Sequence, residues 1–318
     1  MILSLPSPQS TRSASVQMSK LDALRLAALL AVVGAGALTP GFLSGVSLFS
    51  ILTAASFSGC VAIGMSFITL GGNVVSFSLG VTLSAATIVF TASLPLGLPV
   101  AVVAALAFSG AVVAAQGWFV GYFGANPIIV SLASLSVLSG LGTWITGGQG
   151  VYPTGHEGDA LRGAVMHVPI PVLACVGLAL LGQLIVTRTT FGRRLIMVGS
   201  NRRAAEIVGA RPVSTTVVAY LLAGVATGVA AVLMSARYRS GDFELGAGYD
   251  YSAISALLVG GNAIQGGAGS PLRALFGAVG ITAIQSLLVL WGLSTQTQYL
   301  VVGVAVLLAI VLQAAGEA

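Results

Sequence analysis

Charge is what this 318-residue sequence has least of: 7% of it is Asp, Glu, Lys or Arg, against roughly 25% in a soluble domain. No charged side chain occurs between Leu26 and His156. A chain so depleted cannot present a water-compatible surface, which excludes a soluble globular fold. Lysine is rarer still. Lys20 is the only one, so no Gly-x-x-x-x-Gly-Lys-Ser/Thr phosphate loop exists and the chain is not itself a nucleotide hydrolase. The two cysteines, Cys60 and Cys175, lie in apolar segments without neighbouring ligands. They read as small core residues, not as a disulfide or a metal site. The two histidines, His156 and His167, share a loop with Glu157 and Asp159, at a spacing that fits a solvated loop and no familiar metal centre. Neither Gly-x-Ser-x-Gly nor His-Glu-x-x-His occurs, so no catalytic residue is assigned and no enzyme is expected. The net charge of +5 does not imply nucleic acid, because arginines sorted to the cytoplasmic face of a membrane explain it.

What is present is hydrocarbon. Apolar residues make up 56% of the chain, and a membrane crossing needs roughly 20 of them in succession. The sequence predicts an all-α polytopic membrane protein with about ten transmembrane helices, some of them broken, in one domain spanning 21–313. The expected segments are 21–41, 46–70, 74–93, 95–122, 127–146, 169–187, 212–236, 249–262, 271–291 and 295–313. Tails 1–20 and 314–318 flank them. A transmembrane barrel would show short alternating segments instead. The start could also be a cleavable signal, with Lys20 and Arg25 before a short apolar run and Ala35-Gly36-Ala37 after it. The apolar character resumes almost at once, which favours a retained span. Gly117/Gly121 and Gly224/Gly228 have small-xxx-small spacing, read as tight packing within the subunit in preference to a dimer seam.

Arginine placement sets the sidedness. Arg12, Lys20 and Arg25 precede the first span, and Arg188–Arg211 holds six of the thirteen basic residues. The positive-inside rule puts both in the cytoplasm, and six crossings between them give the same result. Both termini are then cytoplasmic. The 147–168 loop and the stretch from Arg237 to Asp250 lie outside.

Within 188–211 the caps isolate a short helix. Asn201 is a good N-cap, Gly209 a good C-cap, and Pro212 stops continuation. Ala204, Ile207 and Val208 share one face, and Arg202, Arg203, Ala205 and Glu206 occupy the rest. About two turns are marginal alone in water. Physics leaves two readings level: a docking element for a partner, or an interfacial helix whose arginines meet anionic lipid.

Here Gly199-Ser-Asn201-x-x-Ala204-Ala205-x-x-x-Gly209 resembles the cytoplasmic loop of ABC-importer permeases of the ribose/branched-chain amino-acid type. Gly248-Tyr249-Asp250-x-x-Ala253-Ile254-Ser-Ala256-Leu-Leu-Val-Gly260-Gly261-x-x-x-x-Gly266-Gly267-x-Gly269 is similar to the Gly-Tyr-Glu…Gly-Gly signature of the sugar-type members. Asn126-Pro127-Ile-Ile-Val-Ser-Leu-Ala and Gly64-Met65-Ser-Phe-Ile-Thr-Leu-Gly-Gly72 resemble two more family segments, so the likeness runs from about residue 42 to 311. Three charges of the family pattern are replaced by Val74, Ser252 and Ala268, which weakens the case for a particular sugar. The resemblance implies ABC-importer permease architecture, with residues 201–209 as a coupling helix seated in an ATPase subunit. It implies a second permease subunit, identical or not, two cytoplasmic ATPases that carry the ATP and Mg, and an external solute-binding protein. Arg237, Arg239, Asp242 and Glu244 are expected to receive that binding protein through complementary charge. The chain itself is expected to hold no cofactor.

The cargo is read from what lines the membrane. Almost no ionisable group is available for ion coupling or as a counter-charge, so a neutral, hydroxyl-rich solute such as a monosaccharide is expected. Ser66, Asn73, Ser76, Ser78, Asn126 and Asn262 are the candidate pathway residues, with Gln116, Thr143 and Gln285 beside them. Each could equally make a helix–helix hydrogen bond. Trp118, Trp144 and Trp291 read as interface anchors. The glycine breaks at Gly71-Gly72-Asn73 and Gly260-Gly261-Asn262 are candidate helix interruptions of the kind transporters place near their sites. A branched-chain amino-acid cargo and a stand-alone channel or facilitator are the rival readings.

Overall fold

The computed structural model describes residues 34, 36 and 39–307, apart from 154, 156, 166, 167, 264, 299 and 305. The first expected span lies largely outside these residues, and both tails, His156 and His167 wholly so. The chain runs α1 (Gly45–Leu70), α2 (Leu79–Ser93) with a 3-10 turn (Leu94–Leu96), α3 (Leu98–Phe123) and α4 (Pro127–Thr146). A 3-10 segment (Glu157–Arg162) and a two-residue hairpin, β1 (Ala164–Val165) with β2 (Val168–Pro169), follow. Then come α5 (Ile170–Arg188), α6 (Thr190–Ser200), α7 (Arg202–Ile207), α8 (Pro212–Tyr238), α9 (Tyr249–Val259) and α10 (Pro271–Leu290).

Local chemistry sets most of these ends. Pro127 opens α4 behind Asn126, whose side chain accepts from the Ile128 N–H at 2.9 Å. Pro271 opens α10 behind Ser270, which accepts from Arg273. Proline at the first helical position lacks only an N–H that would be orphaned anyway. Gly124 and Gly147 end α3 and α4 in the left-handed region, where a side chain would be strained.

Seven helices among the described residues are long and apolar enough to cross a bilayer: α1, α2 with its 3-10 turn, α3, α4, α5, α8 and α10. The expected crossing at 249–262 is only α9, eleven residues long. At 1.5 Å per residue that reaches about 16 Å, half of a ~30 Å hydrocarbon core. Of the tenth expected segment, the described residues of 295–307 are helical.

α1 and α8 form the centre, with α1 against α8, α10, α5 and α9, and α8 also against α3 and α2. Lipid tails are as apolar as leucine, so the hydrophobic effect does little to hold such helices together; close van der Waals approach does. The glycine pairs supply it. A Cβ on Gly117 would lie 2.5 Å from Tyr220 Cβ, and one on Gly121 3.2 Å from the Val213 carbonyl. Gly224 and Gly228 return the contact onto Ser109 and Leu106 of α3. The small-xxx-small motifs therefore lie at different levels of one α3–α8 interface, inside the subunit. Cys60 and Cys175 are free and buried in the same core. α4 lies at the periphery and buries only Ser131.

The loops sort into two ends. Gly72, Asn73, Gly124, Asn126 and Arg202 border one cavity, and the Gly267 N–H donates to the Leu70 carbonyl. The turns after α1, α3 and α9 thus share an end with α6 and α7, the arginine end. At the opposite end Val151 bridges Gly241, and Arg239 Nε donates to Asp159 at 3.1 Å.

Candidate functional site

At the arginine end, α7 has the caps expected of it. Asn201 is extended, and its Oδ1 accepts from the Ala204 N–H at 3.0 Å. Gly209 stands at φ +80 and donates to the Glu206 carbonyl. Arg202 donates to the Gly121 carbonyl at 3.3 Å and pairs with Glu206 at 3.6 Å. Both partners of that ion pair are solvated, so it contributes at most about 1 kcal/mol. Ala205 faces inward and is buried, whereas Ala204 and Arg203 are exposed, and Ile207 and Val208 are 86% and 68% exposed. The outward apolar pair is the unpartnered part of the helix.

α6 is an element the sequence reading did not separate from the loop. Thr189 caps it by accepting from Gly192 at 3.1 Å. Leu195 and Val198 are buried and Phe191 packs on the core, while Arg193 and Arg194 are exposed. Its signal was the 191/195/198 spacing, one apolar stripe of a helix. Its last turn packs on the first glycine break and on the loop that follows the second. A Cβ on Gly199 would run into the Leu70 carbonyl and lie 2.8 Å from the Gly267 nitrogen, and Gly72 packs on the Gly199 backbone from the other side.

The two breaks are one motif used twice. After α1, Gly71 donates to Phe67, Gly72 to Thr69 and Asn73 to Ile68. After α9, Gly260 donates to Ala256, Gly261 to Leu258 and Asn262 to Leu257. Gly72 and Gly261 hold φ +76 and +78, a conformation that favours glycine.

From Asn73 the chain runs without helix to Ser78, and α2 begins at Leu79. The segment after α8 turns back along α2. Ser84 donates to the Phe243 carbonyl at 2.8 Å and accepts from Gly246 at 2.9 Å. It ends where Asp250 Oδ1 accepts from the Gly80 N–H at 2.6 Å. Asp250 was expected where the outer stretch from Arg237 meets the 249–262 segment. It is buried, in the first turn of α9 and against the first turn of α2. Two helix N-termini converge on one carboxylate.

The six pathway candidates do not gather into one site. Ser66 bonds back to the Ile63 carbonyl at 2.6 Å. Ser76 and Ser78 share a 3.1 Å contact, and Ser78 donates to Gln116 Oε1 at 2.7 Å, leaving Gln116 Nε2 without a partner among the described residues. Asn262 Oδ1 accepts from the Ser270 N–H at 2.6 Å and so braces its own loop. Asn73 and the helix cap Asn126 do meet, with Arg202, around a cavity of about 380 Å³ at the arginine end. Other cavities surround Gly248. One of about 320 Å³ includes Ser84, Thr143, Phe243, Asp250 and Tyr251. Two more, of about 210 and 530 Å³, share Gly248, Ser252 and Gln285.

At the opposite end the four expected binding-protein contacts divide. Arg239 is engaged by Asp159, which also pairs with Arg162 at 3.3 Å. Asp242 accepts from the Glu244 N–H at 2.9 Å and shapes its own loop. Arg237 and Glu244 are exposed.

Comparison with known proteins completes the site. The profile of the family described as branched-chain amino acid transport system / permease component matches residues 47–311. The ribose import permease protein of Bacillus subtilis (strain 168) is 28% identical over 292 residues, 90% of either chain. That of Escherichia coli (strain K12) is 28% identical over 300 residues, 92% of either chain. The L-arabinose transport system permease protein of Escherichia coli (strain K12) is 26% identical over 274 residues, 86% of this chain and 84% of its own. No solved structure matches significantly.

Proposed function

The chain belongs to the family of branched-chain amino acid transport system permease components, and on that premise we propose that it is the membrane permease subunit of a bacterial ATP-driven ABC importer for a monosaccharide. The observation that carries this reading is the near full-length likeness to permeases named for ribose and L-arabinose. In this reading ATP hydrolysis, with its Mg, belongs to a separate subunit, which the missing phosphate loop supports. The chain works in the inner membrane, with both termini and the arginine end in the cytoplasm, as the positive-inside rule directs. It pairs with a second permease subunit and two ATPases, and receives cargo from a solute-binding protein at the opposite end, where Arg237 and Glu244 are open to a partner.

In this mechanism α7 seats in an ATPase groove through Ile207 and Val208, with Arg202, Arg203, Ala204, Glu206 and the caps Asn201 and Gly209 shaping the helix. Ala205 holds it to the permease. ATP-driven closure displaces α6 and α7 as a unit. The backbone contacts of Gly199 with Gly72 and Gly267 pass that displacement to both breaks, and thereby to α2 and α9. Packed backbone without side chains transmits a shift because it cannot deform to absorb one. Ser66, Asn73, Ser76, Ser78, Asn126 and Asn262 are assigned to the walls and turns of the moving parts.

Reconstitution tests this. Proteoliposomes holding permease, ATPase and binding protein should accumulate radiolabelled D-ribose or L-arabinose only with ATP inside the ATPase compartment. Uptake by the permease alone, indifferent to removal of the ATPase, would establish the channel reading instead. The family description itself names branched-chain amino acids. Thermal stabilisation of the cognate binding protein by leucine and not by pentoses would move the cargo there.

A further inference from the structure

We propose that the polar cavity at the N-terminal end of α9 is where this permease holds its sugar in transit, with Ser252 and Gln285 as the side chains that bond it. The inference rests on the importer reading and adds a place and a chemistry to it.

Depth comes first. Ser58 lies twelve residues before the end of α1 at Leu70, and Thr282 eleven beyond the start of α10 at Pro271. Both helices meet the arginine end at those residues. At 1.5 Å per residue Ser58 and Thr282 stand about 18 and 17 Å in, near the middle of a ~30 Å core. The N-terminus of α9 is about 16 Å from the same end by the same count. Unwound backbone at such a depth is tolerated only against protein or a watery cavity, and Gly248 borders the cavities.

The wall chemistry is the second observation. Among the polar side chains bordering the cavity of about 210 Å³ are Ser58, Ser252, Thr282, Gln285, Gln298 and the exposed Thr295. Three of these are satisfied within the protein: Ser58 and Thr282 contact each other at 3.2 Å, and Gln298 donates to the Leu293 carbonyl at 3.0 Å. Ser252 and Gln285 have no side-chain hydrogen bond among the described residues, and both are half-buried. An amide or hydroxyl left unpaired in an apolar medium costs several kcal/mol, so these two groups need water or a ligand. Both also border the adjoining cavity of about 530 Å³, which lies within the usual range of small-molecule sites, roughly 300–1,000 Å³.

The ligand class follows from what the wall contains. It offers hydroxyls and a primary amide, each able to donate and accept, and no charged side chain. Asp250, the nearest carboxylate, is committed to the Gly80 N–H. Tyr251 is 66% exposed beside the larger cavity and presents an aromatic face. A polyhydroxylated neutral ring with one apolar face matches that set; a zwitterion or an ion finds no counter-charge.

The test uses the assembled importer in proteoliposomes and a panel of radiolabelled D-ribose, L-arabinose, D-xylose, D-galactose and D-glucose. Gln285→Leu and Ser252→Ala remove the hydrogen bonds without adding bulk. Each should lower uptake of the sugar the wild type imports at least tenfold, Gln285→Asn should fall between, and all should co-purify with the ATPase as the wild type does. Wild-type uptake in the Gln285→Leu/Ser252→Ala double variant overturns this inference alone. No wild-type uptake of any sugar overturns the importer reading and this inference with it. Should a variant fail to assemble, Ser252→Cys decides. Its modification by a cationic methanethiosulfonate, slowed by the imported sugar, supports the site, and a thiol that does not react overturns it.

Discussion

Gly199 and Gly209 stand ten residues apart and show how differently two glycines can matter. A Cβ on Gly209 would meet nothing within 4 Å, so Gly209→Ala pays only for its positive φ, about 1 kcal/mol. A Cβ on Gly199 would strike the Leu70 carbonyl and crowd the Gly72 and Gly267 nitrogens. Backbone cannot swing aside as a side chain can, so Gly199→Ala should destabilise by about 1–3 kcal/mol. In thermal unfolding of the purified permease, Gly199→Ala should lower Tm clearly more than Gly209→Ala; equal shifts would refute the junction. Asp250 makes a second prediction. Asp250→Ala strands the buried Gly80 N–H, which costs about 1–3 kcal/mol. Asp250→Asn keeps an acceptor oxygen and should lose less Tm. Neither role was legible in the sequence. Gly199 could be read as part of a motif but not as a contact among three separated segments. Asp250 sits where an apolar run begins, and nothing in linear order shows that 239–248 folds back along α2.

Among the elements, the arginine segment divides into what short-range rules reveal and what they hide. The caps Asn201 and Gly209 disclosed α7, because capping is local chemistry. α6 carried an equally local stripe at Phe191, Leu195 and Val198, overshadowed by Arg193 and Arg194. α9 was expected as a crossing on hydrophobicity alone, and its helix is eleven residues long. A 14-residue apolar stretch is shorter than a span and more in keeping with a re-entrant segment. Which face of α7 is free also required three dimensions: Ala204, Ile207 and Val208 face outward, whereas Ala205 is buried. Ile207→Asp and Val208→Asp should therefore leave the stability of the isolated permease within about 0.5 kcal/mol of wild type, with no clear change in Tm. They should weaken co-purification of the ATPase at least tenfold, about 1.4 kcal/mol. Ala205→Leu should instead lower the permease's own Tm. If the aspartate variants bind the ATPase normally, α7 is not the docking element.

For the molecule as a whole, sidedness is set by the arginines. Hydropathy located α1, α3, α4, α5, α8 and α10 to within a few residues, because a long apolar run in a bilayer has one stable outcome. The structure then groups the turns after α1, α3 and α9 with α6 and α7, and the segments after α2, α4 and α8 at the opposite end, as an alternating thread must. It supplies the two ends but no membrane; the arginines supply the direction. Exposed Tyr152 belongs to the opposite end and exposed Ile207 to the arginine end. Cys60 and Cys175 are buried, so a cysteine introduced at either surface position is read against a low background. In spheroplasts, a membrane-impermeant maleimide should label Tyr152→Cys and spare Ile207→Cys; in inverted vesicles the pattern should reverse. Reversal of both results would place the arginine end outside, where no ATPase could reach α7. Labelling of both positions from one side would contradict the alternating thread itself, and with it the separation of a cargo-receiving face from a motor face on which import depends.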